Sequence, residues 1–191
     1  MAGELDLHIR IPGWCEGVAS PNALYQTSNL PSSGAAHLKV NGKPVEHLDI
    51  IHGYAVLHRR WKSGDVIQMK LKMPIESVTA NASVEADKGR IALMRGPIVY
   101  CFEGADNGAG AQNLIIPPGT EFTPEYRRNL LGGVTVLLGT ATAVFLTGQD
   151  QTTLVPFQIT ATPYYANATR GTCPMHVWMA ESQNHSKPQP Q

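Results

Sequence analysis

The chain has 191 residues, of which 42% are hydrophobic, and its 15 basic and 15 acidic residues give a formal net charge of zero. This length accommodates one large domain or two small ones with a proper hydrophobic core. A balanced charge argues against a nucleic-acid partner, which requires a basic excess, and against an anionic membrane surface. The longest apolar runs are far too short for a membrane span.

The first part of the chain has the pattern of short antiparallel strands. Alternating apolar residues predict a half-buried strand over residues 5–11. Asn41-Gly42 predicts a hairpin, because both residues tolerate the positive φ of a type I′ turn. Residues 53–61 and 66–73 flank Lys62-Ser-Gly-Asp65 and predict a second hairpin.

The second part continues the strand pattern. Residues 91–104, IALMRGPIVYCFEG, are apolar on both faces and predict one central strand. Residues 104–133 are rich in Gly, Asn and Pro and predict a long surface loop. Two strands are expected around Gly139, and the last pair of strands between residues 153 and 181.

Together these elements predict an all-β protein, with no window of helical periodicity. About ten short strands at this spacing are typical of an antiparallel β-sandwich, here in two packed sandwich units. A polar, charged connector places the boundary near residue 86, which gives domains over 1–86 and 87–181. The polar, proline-containing tail, residues 182–191, is predicted to be disordered.

Cys101 and Glu103 form the most suggestive local pair. They lie two residues apart and so share one face of the predicted central strand. A thiol beside a carboxylate suits either a nucleophile with its acid or base, or half of a metal site. No neighbouring group in the sequence lowers the thiol pKa. We therefore expect a buried strand cysteine, with Glu103 at the wet end of the strand.

Two other arrangements remain open at this level. Cys15, Cys101 and Cys173 contain no paired C-x-x-C spacing, yet spacing alone does not exclude a zinc site that draws them together in a small thiol- or zinc-dependent enzyme. Trp14, Tyr164 and Tyr165 are candidates for a sugar-stacking platform in a stand-alone carbohydrate-binding module.

Six segments of the chain carry a specific pattern. They are LHIRIPGWC (7–15), VNGKPV (40–45), GYAVLHRRWKSGDVIQMKLKMPIESVTAN (53–81), GRIALMRGPIVYCFEGADN (89–107), LLGGVTVL (130–137) and PYYANATRG…MHVW (163–178). The most specific of them contain IPGWC and RGPIVYCFEGADN. In this order, the six segments resemble the C-terminal region of glycoside hydrolase family 127, the beta-L-arabinofuranosidase-like proteins.

The resemblance implies a parent protein in which a helical (α/α)6 barrel carries the active site and precedes two β-sandwich domains. The family's nucleophile is a cysteine in a zinc site that includes two adjacent cysteines. This chain has no Cys-Cys, so no catalytic residue, metal ligand or cofactor is assigned to it, and zinc belongs to the barrel. The parent reaction would be retaining hydrolysis of a terminal furanoside.

The resemblance also implies the partners of the chain. We expect it to be the non-catalytic β-sandwich portion, with an incomplete first sandwich, that supports its own barrel. A second copy in a homodimer is a further expected partner, and carbohydrate is contacted only through the parent. Sugar specificity and cellular compartment stay open, because a signal peptide would precede the barrel.

Overall fold

The computed structural model describes residues 3–16, 24–27, 36–108, 111–147 and 151–190. The strands of its first part are β1 (Gly3–Arg10), β2 (Tyr25–Thr27), β3 (Ala36–Val40), β4 (Lys43–Pro44), β5 (Ile50–Ile51), β6 (Tyr54–Trp61) and β7 (Ile67–Leu71). The strands of its second part are β8 (Ile75–Ala80), β9 (Arg90–Arg95), β10 (Ile98–Glu103), β11 (Leu114–Ile115), β12 (Thr123–Arg127), β13 (Val134–Leu146), β14 (Thr152–Pro163), β15 (Met175–His176), β16 (Met179–Ala180) and β17 (Gln189–Pro190).

Among the residues that the structure describes, helical structure is confined to single turns. The helix α1 spans Gly104–Asn107, and the 3-10 turns are Gly13–Glu16, Glu85–Asp87, Tyr164–Ala166 and Gln183–His185. Within the described ranges, no helix is long and apolar enough to cross a membrane. The predicted all-β sandwich fold is confirmed.

The first region packs two small sheets face to face. One has the strand order β1-β6-β5 and the other β4-β3-β7, and their pairings are antiparallel. Leu38 of β3 and Ala55 of β6 are buried in one cluster with Ile11 and Cys15. Residues from both sheets therefore meet in a shared core, as a sandwich requires.

The Asn41-Gly42 hairpin is confirmed. Val40 pairs with Lys43, and the two turn residues have φ values of 51° and 78°. Positive φ at both central positions is the property for which Asn-Gly is favoured in such turns.

The second predicted hairpin is wrong, although both of its strands exist. β6 pairs with β1 and β5, whereas β7 pairs with β3 in the other sheet. The turn between them therefore carries the chain from one sheet to the other. Asp65 holds this corner, because its carboxylate accepts hydrogen bonds from the main-chain N–H of Lys62 and from the Asn41 amide, each at 2.8 Å.

The second region is built on one large, strongly bent sheet. Its strand order is β15-β10-β14-β13-β11-β16-β9-β8-β2, and β12 and β17 pair with β13. β9 also pairs with β10, so the pairings β9–β10–β14–β13–β11–β16–β9 form a closed circuit. Closure of this kind leaves fewer exposed strand edges. The short β2, from the first part of the chain, extends the sheet through β8.

The core of the second region lies inside this circuit. It contains thirteen buried hydrophobic residues, among them Tyr100, Phe102, Leu137 and Ile159. Burying one large apolar side chain stabilises a fold by about 1.5–3 kcal/mol. The circuit and its core are therefore the main source of stability in this region.

Residues 91–104 form a hairpin rather than the single strand expected. β9 and β10 are antiparallel neighbours joined through Gly96 and Pro97, and Ile98 pairs with Arg95. Gly96 has a φ of 56°, a conformation that glycine adopts without steric cost. The apolar character on both faces arises because both strands lie in the bent sheet.

The expectation of two strands around Gly139 is also wrong, because β13 runs unbroken for 13 residues. Gly139 lies within it, where an added Cβ would approach the Phe122 ring to 2.6 Å. This glycine makes room for an aromatic ring and does not end the strand.

Two predicted irregular segments contain regular structure. Residues 104–133 include α1, β11 and β12, and Leu114 and Ile116 are fully buried in the core. The tail, predicted to be disordered, contains the turn Gln183–His185 and β17, which pairs in parallel with β13. Both segments owe their order to distant strands, which a local sequence pattern does not reveal.

Candidate functional site

The pair singled out in the sequence lies at the end of β10 in the second region. Cys101 and Glu103 share one face of β10, and both are fully buried. The expectation of a buried strand cysteine is confirmed. The expected wet end at Glu103 is wrong, because this carboxylate is enclosed by the loop that follows β14.

The side chain of Arg170 neutralises the buried carboxylate. Its Nη2 donates to Glu103 Oε2 at 2.5 Å, and its Nη1 donates to Asp106 Oδ1 at 2.7 Å. A second bond from Nη2 to Asp106 makes that contact bidentate. Hydrogen bonds to Asp106, and then to Glu103, raise the pKa of Arg170 above its ordinary value. The guanidinium therefore stays charged and holds both carboxylates.

Further donors complete the environment of Glu103. The Thr162 hydroxyl donates to Oε2 at 3.1 Å, and the Ala168 main-chain N–H donates to Oε1 at 3.4 Å. Asn107 supports the same corner, because its amide donates to the main-chain oxygens of Glu103 and Thr160, each at 2.9 Å. We call Glu103, Asp106, Thr162 and Arg170 the carboxylate–arginine cluster.

This environment suppresses thiol chemistry at Cys101. Burial raises the pKa of the Cys101 thiol to about 11, and the negative charge of Glu103 acts in the same direction. Its nearest polar contact is the Thr162 hydroxyl, at 3.8 Å. Because the thiolate is the nucleophilic form, a thiol of this kind is unreactive at neutral pH.

The three cysteines are not brought together. Cys15 is buried in the core of the first region, whereas Cys101 is buried in β10 and Cys173 is partly exposed beyond the cluster. Across the part of the chain that the structure describes, no three His, Cys, Asp or Glu side chains are grouped closely enough to hold a metal ion. The residues present therefore do not fit the zinc site of the family, and the rival three-cysteine site is not assembled.

The aromatic candidates differ from one another. Trp14 is partly buried against the core of the first region. Tyr164 and Tyr165 lie on the 3-10 turn after β14 and are 49% and 69% exposed. The two tyrosines have the accessibility that a stacking platform needs, and their proposed role stays a prediction.

Sequence reasoning missed Arg170, Asp106 and Thr162. Arg170 and Glu103 are 67 residues apart, and no periodic pattern connects them. The available signal was that GADN and ATRG lie in two of the segments that carry the family resemblance. Segments that carry the family resemblance but contain no catalytic or ligand-binding motif of their own are candidates for contact with each other.

These features define a class of protein: an all-β sandwich module, largely antiparallel, whose buried carboxylate Glu103 is paired with an arginine of the same chain. Residues 1–73 match the family model described as the GH127 middle domain of beta-L-arabinofuranosidase. Residues 75–180 match the model of the glycoside hydrolase family 127 C-terminal domain. The chain therefore belongs to glycoside hydrolase family 127, and it corresponds to the middle and C-terminal portion of that family.

Individual relatives agree with this placement. The chain is 34% identical over 132 residues to a non-reducing end beta-L-arabinofuranosidase of Bifidobacterium longum subsp. longum, a match that covers 66% of this chain and 17% of the relative. A solved GH127 beta-arabinofuranosidase superposes with a TM-score of 0.92 at 33% identity, over 100% of this chain and 30% of that one.

A second solved relative is a GH127 beta-L-arabinofuranosidase from Geobacillus stearothermophilus T6. Its TM-score is 0.77 at 35% identity, over 95% of this chain and 27% of that one. The chain thus spans less than a third of each of these relatives. The predicted family resemblance is confirmed, while the predicted domain boundary near residue 86 stays a prediction beside the division of the two family models at residue 74.

Proposed function

We propose that this chain is the non-catalytic β-sandwich portion of a beta-L-arabinofuranosidase-type glycoside hydrolase, and that it supports the catalytic domain of that protein. One observation carries the proposal. The structural match covers all of this chain but only 30% of a GH127 beta-arabinofuranosidase.

The chemistry of the described residues agrees with a structural role for this chain. Burial raises the pKa of the Cys101 thiol, which lies beside the Glu103 carboxylate, to about 11. The neighbouring carboxylate is paired with Arg170 and is 1% exposed. A buried carboxylate that is paired in this way holds a loop on a sheet.

The surface of the first region offers a place for another domain to pack. Ile51 of β5 and Tyr54 of β6 are paired, so they share the outer face of the β1-β6-β5 sheet, and they are 55% and 40% exposed. Exposed apolar side chains on one sheet face favour a packing partner. In this proposal that partner is the catalytic domain of the same protein.

An activity measurement tests the absence of catalysis. The purified chain is incubated with an aryl beta-L-arabinofuranoside, with and without added zinc, beside a Cys101→Ala variant. We expect no turnover above the buffer blank in either protein. Turnover by the unmutated chain that is lost in Cys101→Ala would overturn the proposal.

The DNA sequence upstream of this chain provides a test of the supporting role. We expect the reading frame upstream of Met1 to encode a helix-rich domain that contains adjacent cysteines. A stop codon directly upstream would contradict the proposal. Where the longer protein is expressed, Ile51→Asp should lower its melting temperature more than it lowers that of the present chain, because only the longer protein buries this side chain.

The exposed tyrosines favour a second candidate function, carbohydrate binding by the module itself. Calorimetric titration with arabino-oligosaccharides measures it directly. Binding that is lost in Tyr164→Ala or Tyr165→Ala would support this function. Tyr54→Ala is the matched control, since Tyr54 is 40% exposed and lies in β6 of the first region.

A further inference from the structure

We propose that a cavity between β9, β15 and the C-terminal tail binds a small oxyanion, either a phosphate or a carboxylate. The cavity has a volume of about 130 Å³, and its lining shares no residue with the carboxylate–arginine cluster. Four of its lining residues are basic: Arg90, His176, His185 and Lys187. We call it the basic cavity.

Distant parts of the chain converge on this cavity. Arg90 begins β9, His176 ends β15, and His185 ends the 3-10 turn of the tail. The main-chain N–H of Lys187 donates to the Gln112 carbonyl at 2.9 Å, which fixes the tail against the loop before β11. Trp178 forms an aromatic wall and stacks on Tyr25, with ring centroids 5.8 Å apart. The site is therefore held by several elements of the fold.

The described lining is basic. None of the described residues that line the cavity is Asp or Glu. None of the ion pairs found between described residues involves Arg90, His176, His185 or Lys187. Glu181, which follows the lining residue Ala180, lines a separate groove with Phe122. An anion would therefore meet the positive charges of Arg90 and Lys187 without a competing carboxylate in the described lining.

His176 brings an unsatisfied imidazole to the wall of the cavity. Its Nε2 is buried and has no hydrogen-bond partner among the described residues. A buried polar atom left without a partner costs stability. Burial, and then the charges of Arg90 and Lys187, lower the pKa of His176. An anion beside these charges would reverse part of that effect.

Arg90 retains donors for a ligand. Its guanidinium contacts the carbonyls of Trp178 and His185 at 3.5 and 3.4 Å, which are long distances for hydrogen bonds. Guanidinium carries five N–H groups arranged in a fork that matches phosphate and carboxylate oxygens.

The position of His185 depends on a glycine. Gly89 has a φ of +66°, and a Cβ at this position would lie 2.3 Å from the His185 ring. The ring is oriented by Ser182, whose hydroxyl lies 3.1 Å from Nδ1. This close approach of imidazole to backbone is possible only at glycine. The second imidazole of the cavity is thus held in a defined place.

The volume limits the ligand. A cavity of about 150 Å³ holds a benzene molecule, which has six heavy atoms. The basic cavity therefore accommodates inorganic phosphate or a short carboxylate but excludes an oligosaccharide. This inference is independent of the proposed support of a catalytic domain.

Titration of the imidazole NMR signals with inorganic phosphate and with acetate tests the proposal, using sodium chloride to match ionic strength. His176→Gln identifies the signal of His176. We expect a saturable shift of that signal and a rise in its pKa when the anion binds. A preference for phosphate would identify a phosphate or phosphoester ligand, and a preference for acetate a carboxylate.

Two variants and a matched control decide whether the cavity is responsible. Arg90→Gln and Lys187→Gln should each weaken binding about tenfold or more, since each removes a charged hydrogen-bond donor. Arg128→Gln removes the same charge from an exposed turn outside the cavity and should leave binding unchanged. Lys187 is exposed, so its replacement tests the site even where Arg90→Gln does not fold. No saturable shift with either anion, or equal weakening in Arg128→Gln, would overturn the proposal.

Discussion

Glu103 and Arg170 form an ion pair in which the carboxylate is 1% exposed and the guanidinium 21% exposed. The pair joins the end of β10 to the loop that follows β14, and the two residues are 67 positions apart. Asp106, in the helix directly after β10, shares the same guanidinium. This contact closes one end of the second region and fixes the loop beside the exposed tyrosines.

Replacing Arg170 by Ala should destabilise the chain strongly. Removal of one member of a buried ion pair leaves its partner charged, buried and unpaired, and typically costs about 3–5 kcal/mol. We expect a loss of about 3 kcal/mol in the free energy of unfolding, measured by urea denaturation. Arg170→Lys should recover part of that loss, because it keeps the charge but not the bidentate geometry.

The Arg127–Glu125 pair provides the control, because its side chains are 35% and 50% exposed. Arg127→Ala should cost less than about 1 kcal/mol, as is usual for surface ion pairs. Equal losses in Arg170→Ala and Arg127→Ala would show that the carboxylate–arginine cluster has no special structural role.

Thiol labelling should distinguish the three cysteines. With a pKa of about 11, only about one in 10,000 Cys101 thiols is ionised at neutral pH. We expect an aromatic disulfide reagent to label the partly exposed Cys173 in the folded chain, and Cys101 only after unfolding. Cys173→Ser should then remove the fast phase of labelling. Rapid labelling of Cys101 in the folded chain would contradict the buried, unreactive thiol described above.

Glu76 should make stability depend on pH. Its side chain lies in β8 with 5% exposure, and burial raises its pKa above the ordinary value of 4.5. At pH values between 4.5 and the higher pKa of Glu76 in the folded chain, the folded chain binds more protons than the unfolded chain. Stability from this group is therefore present at low pH and is lost as the pH rises through that window.

Glu76→Gln should consequently be more stable than the unmutated chain at neutral pH. This difference in stability should disappear below pH 4.5. Thermal unfolding of both proteins across the pH range measures the difference. Glu46→Gln, at an exposed position, is the control for the removal of one carboxylate. If Glu76→Gln is less stable than the unmutated chain at neutral pH, the raised pKa of Glu76 is contradicted.

His58 should titrate above its ordinary value. It lies opposite Asp6 in the β1–β6 register, and a hydrogen bond with that carboxylate raises the pKa of the imidazole above 6.5. The stabilisation from this pair is present below 6.5 and is lost as the pH rises through the folded value. NMR titration should show that Asp6→Asn returns the pKa of His58 toward 6.5.

Glu4→Gln is the comparison for that measurement. Glu4 lies 3.6 Å from the other ring nitrogen of His58, and its charge is the smallest of the causes that raise the pKa. We expect Glu4→Gln to lower the pKa of His58 less than Asp6→Asn does. The reverse order would show that the ring faces Glu4 in solution.

The two sheets of the first region show the limit of local patterns. Alternation correctly located β6 and β7, because the side-chain period of a strand is a local property. It assigned them to one hairpin, whereas the corner at Asp65 sends them into different sheets. A strand edge offers the same hydrogen-bonding groups to any neighbour, so the choice of partner depends on the packing of the whole core.

Burial of polar groups shows the same limit. The apolar context of Cys101 was sufficient to predict its burial. Glu103, only two residues later, was predicted to be wet because a carboxylate is rarely buried without a partner. Its partner, Arg170, comes from a loop that the sequence places far away, and the match was evident only when both segments were brought together.

By itself, the sequence determined the strand-rich composition, the Asn41-Gly42 turn, the burial of Cys101 and the membership of the chain in its family. These properties depend on residues that are neighbours in the chain or on whole-segment similarity. Only the tertiary structure decided which strands pair, that Arg170 neutralises Glu103, and that four basic side chains surround one cavity. Such contacts depend on side chains that approach one another only after the sheets have closed around their cores.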